Sequence, residues 1–201
     1  MNPNAYLTNS QRTHLQTARI GIAGAGGLGS NCAMHLVRAG LSRFVIVDFD
    51  RVSASNLNRQ FYFADQLDQF KTLALRTNLL RINPDLDLTL HTQRVTAENA
   101  WALFDTCNII VEAFDAEASK HMLISTLLPY GKPLVAATGL AGFGQSNEMR
   151  VRKFGSTLYV VGDGVSAVSA EKQSFPSSPR VGIAAAMQAN TVMAILLGAP
   201  L

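Results

Sequence analysis

"GIAGAGGLGSN", residues 21–31, decides the fold. Before it, residues 19–23 form a short apolar run that ends at glycines, the pattern of a buried strand. After it, residues 27–39 carry apolar side chains at helical spacing and stop at Gly40, a glycine suited to close a helix. Between strand and helix stands Gly24-x-Gly26-x-x-Gly29. At such a junction Gly24 permits a tight turn, Gly26 lets backbone approach a phosphate, and Gly29 lets helix and strand pack closely. The free N–H groups at the helix start then face the anion. Asp48 comes about two dozen residues later, at the end of the next β-rich run, where a carboxylate can take ribose hydroxyls.

The same alternation continues outward. Strand-like runs at 44–48, 86–90, 108–111 and 133–137 alternate with helical patterns at 71–82, 98–104 and 117–128. A strand–helix alternation over about residues 18–140 predicts an α/β, Rossmann-like, doubly wound and mostly parallel sheet. The rhythm then changes. Residues 149–153 and 157–161 read as strands with no helix between them, an antiparallel extension. Residues 163–178, rich in Gly, Ser and Pro, read as a mobile loop. With Ser178 as cap and Pro179 at its start, a final helix runs over 181–197 to Gly198. The 201 residues are expected to form one nucleotide-binding domain, with its core at about 18–140 and the hairpin, loop and helix at about 141–198.

Composition narrows the function classes. Hydrophobic residues make up 48% of the chain, enough for a full core. No apolar run reaches the roughly 18 residues of a membrane span, and the start has no signal-peptide pattern, so a cytoplasmic protein without membrane partners is expected. The net charge of +3 is spread along the chain without a block of like charges, which makes a nucleic-acid partner unexpected. The two cysteines, Cys32 and Cys107, stand in no C-x-x-C pair and are expected to be buried thiols, with no zinc. His14, His35, His91 and His121 show no metal spacing.

The run after the second strand separates two kinds of nucleotide chemistry. "VDFDRVSASNLNRQF" (47–61) adds to Asp48 a second acid, Asp50, and a polar cluster with Asn56, Arg59 and Gln60. A nicotinamide cofactor carries only a pyrophosphate, which a helix N-terminus handles, so this cluster has no task in a dehydrogenase. ATP brings about four negative charges and needs cations aimed at its phosphates. Arg59 offers a forked donor. Lys71 begins the next helix, where a cation opposes the helix dipole unless an anion is near. Asp115 lies just past the strand at 108–111, at the end where ligands collect in open α/β sheets. Simpler roles exist beside these: Asp50 as the cap of a turn, Asp115 as the cap of a helix.

Together these segments resemble the ThiF/MoeB/HesA family of ATP-dependent activators, relatives of ubiquitin-activating enzymes. The resemblance rests on GAGGLGSN (24–31), VDFDRVSASNLNRQ (47–60), FKTLAL (70–75) with RINP (81–84), and EAFDAE (112–117). A short ThiF-like subgroup extends it through GLAGFGQSN (139–147), YVVGDG (159–164) and PRVGIAAAMQAN (179–190). The resemblance implies an adenylyltransferase that activates the C-terminal glycine carboxylate of a small ubiquitin-like, ThiS-like sulfur carrier ending in Gly-Gly. The carboxylate attacks the α-phosphate of ATP and pyrophosphate leaves. The implied pathway is thiamine biosynthesis and the implied assembly a homodimer. Gly24, Gly26, Gly27 and Gly29 would form the phosphate-side loop. Asp48 and Asp50 would lie beside the nucleotide, Asp48 on the ribose. Asn56, Arg59 and Lys71 would hold the triphosphate, and Asp115 would organise Mg²⁺. No general base is needed, because a carboxylate is ionised at neutral pH.

Two departures stand out. The zinc-binding C-x-x-C pairs of larger members are missing, and no cysteine comes after Cys107, so a covalent carrier intermediate is not expected. Arg12 is the early arginine that could act across a dimer. Three rival readings keep the glycine turn: activation of a carboxylate on a modified tRNA base, an NAD-dependent oxidoreductase, and a non-catalytic nucleotide-binding scaffold.

Overall fold

The computed structural model describes residues 7–166 and 175–201. Residues 167–174 of the expected loop lie outside the described residues. The elements run in the order α1 (Asn9–Thr17), β1 (Arg19–Ala23), α2 (Gly27–Arg38), β2 (Arg43–Val47), α3 (Lys71–Leu80), β3 (Asp87–His91), α4 (Ala100–Phe104), β4 (Ile109–Glu112), α5 (Glu117–Leu127), β5 (Leu134–Ala137), β6 (Arg150–Phe154), β7 (Leu158–Gly162) and α6 (Ser178–Leu197).

The seven strands form one sheet in the order β3-β2-β1-β4-β5-β7-β6. All neighbours are parallel except β6, which runs antiparallel to β7 at the edge. This is the doubly wound sheet with an antiparallel extension that the sequence predicts. Strands leave β1 in both directions, β2 and β3 to one side, β4 and β5 to the other. That reversal leaves a crevice beyond the carboxyl ends of β1 and β4.

Strand alternation builds two apolar layers. Ile20, Ile22, Phe44, Ile46, Ile109, Val111 and Val135 face one layer with residues of α2, α3 and α6. Val45, Val47, Ile110 and Leu134 face the other, against Phe104 of α4 and Leu123 and Leu127 of α5. Burial on both faces explains why the inner strands read as unbroken apolar runs.

The last helix begins earlier than expected. Ser177 is its N-cap residue and Pro179 lies within the first turn. The Ser177 hydroxyl donates to the Gly142 carbonyl at 2.7 Å instead of capping the helix. With 20 residues and a mean hydropathy of 1.4 over its best window, α6 meets the length and composition of a membrane span, contrary to the expectation that no run does. Half of that window is buried in this fold. Val181, Ala184, Ala185, Ala189 and Val192 join the core shared with α2. Gln188, fully buried, donates from Nε2 to the carbonyls of Glu112 (2.9 Å) and Val135 (3.1 Å), tying the helix to β4 and β5. The helix α1 has no counterpart in the sequence reading. It is polar, buries only Leu15, and starts at a capping box between Thr8 and Gln11.

Candidate functional site

A cavity of about 640 Å³ opens at the carboxyl ends of the parallel strands. The glycine turn forms one wall. Gly24 has φ +97°, a conformation L side chains avoid, and a Cβ there would stand 2.9 Å from the Ala113 carbonyl oxygen. At Gly29 a Cβ would stand 1.8 Å from the Gly24 carbonyl oxygen, so only glycine lets α2 close onto the turn. Gly26 is the N-cap residue of α2, with no side chain to satisfy the first amides. Gly24, Gly26 and Gly27 border the cavity; Gly29 sits behind them as a packing residue.

Asp48 comes directly after β2 and is nine-tenths buried. Its Oδ2 accepts from the Ala25 amide at 2.6 Å and its Oδ1 from the Asp50 amide at 2.7 Å. Burial raises its pKa above the ordinary carboxylate value, against the pull of these amides and of Lys71. Before meeting any ligand, Asp48 therefore locks the glycine turn to the end of β2.

Residues 51–70 then leave the sheet and return. The Val52 amide donates to the Gln69 carbonyl at 2.9 Å, and the Lys71 amide donates to the Asp50 carbonyl at 2.9 Å, so the excursion is closed at its base. The tail of the opening motif fastens its far side. Asn31 Nδ2 donates to the Arg59 carbonyl at 2.9 Å, and the Ser30 hydroxyl accepts from the Phe61 amide at 3.0 Å. The buried Tyr62 hydroxyl donates to the Ala25 carbonyl at 2.6 Å.

This geometry brings Arg59 and Lys71 to one cavity. Arg59 leans on its own segment, Nη1 donating to Asn58 Oδ1 (2.8 Å) and the Ser55 carbonyl (3.2 Å). Lys71, buried at the first position of α3, holds Nζ 2.8 Å from Asp50 Oδ2. Asp50 thus supplies the anion that the lysine's position demands, and its carboxylate caps no turn. Asn56 lies on the same excursion. It is absent from the cavity wall, and its Oδ1 accepts from the Ser53 amide at 3.1 Å, capping a short 3₁₀ turn.

Asp115 borders the cavity on an exposed turn after β4. It does not cap α5, whose N-cap residue is Ala116 without a side-chain cap. Behind Asp115 lies a pair that the sequence does not announce. Glu112, fully buried, accepts both from Lys120 Nζ (3.0 and 3.2 Å) and from the Phe114 amide (2.7 Å). Burial raises the Glu112 pKa, with Lys120 opposing the rise. Lys120 also donates to the Ala137 carbonyl at 3.1 Å and borders the cavity. The i,i+8 spacing of Glu112 and Lys120 across a strand–helix turn carries no signal of its own.

A second such pair stands at the mouth, where Gly139, Leu140, Val165 and Ser166 border the cavity. Arg180 Nη2 donates to Asp163 Oδ2, and both side chains are at most 5% exposed. Arg180 Nη1 also donates to the Gly144 carbonyl, at 2.6 Å. Burial pushes the Asp163 carboxyl up, but the Ser166 hydroxyl and amide, the Val165 amide and Arg180 outweigh it and hold the pKa at about 2. Three parts of the chain, the segment after β5, the segment after β7 and the first turn of α6, are joined through this one pair.

Among the described residues no group of three or more His, Cys, Asp or Glu is placed to hold a metal ion. A lone Asp115 suits Mg²⁺ that arrives with nucleotide phosphates, since that ion commonly takes one or two carboxylates besides phosphates and water. Arg12 lies on α1, outside the cavity of its own chain, with Nη1 donating to the Leu7 carbonyl at 2.7 Å. Cys32 and Cys107 are buried free thiols, and burial pushes Cys107 up to about 12.

Comparison with known proteins identifies the family and the fold. The adenylyltransferase and sulfurtransferase UBA4 of Candida glabrata is 29% identical over 188 residues, 92% of this chain and 43% of that protein. MOCS3 of Anopheles gambiae, which bears the same description, is 32% identical over 132 residues, 65% of this chain and 30% of that protein. The chain spans less than half the length of these curated relatives. Among solved structures, E. coli tRNA N6-threonylcarbamoyladenosine dehydratase, TcdA, in complex with ATP superposes with a TM-score of 0.88. The overlap covers 98% of this chain and 92% of that one at 18% identity, a likeness of fold. E. coli MccB gives 0.71 over 92% and 58%. The model of the ThiF family matches residues 4–201, through every element that borders the cavity, and the chain belongs to the ThiF family.

Proposed function

We propose that this protein is an ATP-dependent adenylyltransferase that activates a C-terminal carboxylate. The observation that carries the reading is the single cavity in which the glycine turn, Arg59, the Lys71–Asp50 pair, Asp48 and Asp115 meet. The amides at the start of α2 and the two cations suit a polyanion, and Asp48 would take the ribose hydroxyls beside the turn. A carboxylate substrate is already a nucleophile. It attacks the α-phosphate, its oxygen forms the new P–O bond, and the bond to the β-phosphate breaks as pyrophosphate leaves. Arg59 and Lys71 hold the charge that gathers on the leaving group. Asp115 would hold Mg²⁺, which when bound neutralises part of the phosphate charge. No proton has to move, so catalysis is positioning and electrostatics.

The substrate proposed is a ubiquitin-like sulfur carrier ending in Gly-Gly. The curated relatives are named adenylyltransferase and sulfurtransferase, which supports a carrier of this kind, and a ThiS-like carrier of thiamine biosynthesis is the specific candidate. A homodimer in which Arg12 reaches the partner's cavity belongs to the same reading. ATP–pyrophosphate exchange tests it. Exchange that requires both Mg²⁺ and a Gly-Gly-ending carrier is expected. Absence of exchange with every such carrier of the same genome sinks the proposal. A second reading, adenylation of a carboxylate on a modified tRNA base, is favoured by the neighbour that matches this chain in length and is named for such a base. Exchange driven by tRNA, with salt-sensitive tRNA binding, would favour it over the carrier.

A further inference from the structure

Asp115 borders the cavity, yet its own side chain takes no hydrogen bond and no ion pair among the described residues. The helix that follows starts at Ala116 without a side-chain cap, so the usual anchor of such a turn is missing as well. A carboxylate in this position is aimed by its backbone alone.

That backbone is held by the buried pair behind it. Glu112 accepts from the Phe114 amide at 2.7 Å, one residue before Asp115. On the far side, the Lys120 amide donates to the Ala116 carbonyl at 3.1 Å, one residue after Asp115. The two side chains then close on each other, Lys120 Nζ lying 3.2 Å from Glu112 Oε1 and 3.0 Å from Oε2. The Ala113 amide adds a bond to the Ala23 carbonyl at 2.9 Å, which ties the start of the turn to β1. The turn that carries Asp115 is thus clamped at both ends by one ion pair.

Two simpler roles fit the pair less well. Lys120 borders the cavity, but its ammonium has three N–H groups, and Glu112 Oε1, Glu112 Oε2 and the Ala137 carbonyl take them. It has no donor left for a ligand. As a source of stability a buried ion pair is a poor device, since well-packed apolar side chains of similar volume often do as well. Apolar side chains could not accept from the Phe114 amide.

We infer that Glu112 and Lys120 are positioning residues that together aim the Asp115 carboxylate at the cation accompanying the nucleotide phosphates. This rests on the adenylation reading and adds to it two residues that touch neither nucleotide nor metal.

Titration calorimetry with ATP, in Mg²⁺ and in EDTA, tests the inference, with thermal melts of the free proteins alongside. Wild type is expected to bind ATP more tightly in Mg²⁺, and Asp115→Asn to lose that gain. Lys120→Met is expected to reduce the gain about tenfold, the usual order for removing the support of a metal ligand, and to leave the affinity in EDTA unchanged. Lys120→Arg keeps the charge and the donors and is expected to retain most of the gain. Glu112→Asp keeps both charges but shortens the reach to the Phe114 amide. It is expected to reduce the gain too, and it decides the matter should Lys120→Met fail to fold. Equal weakening of ATP in Mg²⁺ and in EDTA would mark the pair as merely structural and overturn the inference, as would an Asp115→Asn variant that keeps the gain. If wild type binds no ATP, the adenylation reading itself fails. If wild type and Asp115→Asn behave as expected while the Glu112 and Lys120 variants keep the full gain, only the positioning role fails.

Discussion

Two ion pairs flank the same cavity and face it differently. In Lys71–Asp50 the ammonium is 7% exposed and the carboxylate 47%, so the pair opens onto the space where a ligand enters. In Arg180–Asp163 the exposures are 4% and 5%, and further donors and acceptors of both side chains are turned onto backbone and hydroxyl groups of the surrounding loops. The first pair keeps a cation at the cavity wall. The second uses its charges to hold the mouth in shape. Similar side chains at similar distances thus have different tasks, and burial of the acid is what separates them.

Breaking the buried pair gives the largest expected effect. Arg180→Met leaves Asp163 buried and unpaired, which costs about 3–5 kcal/mol. Urea denaturation should show it as a lower midpoint, and the double variant Asp163→Leu with Arg180→Met should recover part of the loss. Next comes the open pair. Lys71→Met leaves Asp50 half exposed to water, so the urea midpoint should hardly move, while pyrophosphate exchange should fall about 10²–10³-fold, the usual range for losing a donor to developing charge. A reversal of these two patterns would invert the assignment of tasks.

The comparison also has a pH signature. Asp163 titrates at about 2 in the folded protein and near 4 when unfolded. Its contribution is complete above pH 4 and is lost as pH falls toward 2, about 2 kcal/mol in all. Glu112 and Asp48 have the opposite sign, because burial raises their pKa values, and protonation on acidification relieves their cost. Urea midpoints measured between pH 6 and pH 3 should therefore fall less steeply in the Arg180→Met variant than in wild type. The smallest effect belongs to Asn31→Ala, which removes the bond to the Arg59 carbonyl: about 1 kcal/mol of stability, and a few-fold weaker ATP binding measured by calorimetry.

How legible each feature is in the sequence depends on how it is encoded. β1, β2 and β5 are apolar runs that abut Gly, Asp or Pro, β4 is an apolar run after Asn108, and burial on both faces of a parallel sheet produces such runs. The glycine turn, Asp48, Arg59, Lys71 and Asp115 lie at loop positions or element ends whose residue types make little sense as packing, and that is what marks them. α1 escapes a reading by periodicity because a polar helix that buries one leucine has almost no periodic signal. Asn56 shows how a polar cluster hides structure: nothing in its residue type announces that its Oδ1 accepts from the Ser53 amide in a short turn. Glu112–Lys120 and Asp163–Arg180 are hidden for another reason. Each partner is unremarkable alone, and only the tertiary fold places two strand ends and a helix start around one charge.

The excursion of residues 51–70 would be a floppy connection if it were tethered only at its ends. Ser30, Asn31 and Tyr62 fasten it to α2 and to the glycine turn. Its ordering is therefore completed when the chain folds, and nucleotide entry need not wait for a loop to settle. In kinetic terms, stopped-flow association of a fluorescent ATP analogue should rise linearly with concentration in a single phase. Loosening the fastening at Asn31 should bring in a second, slower phase that saturates, as the segment becomes a gate.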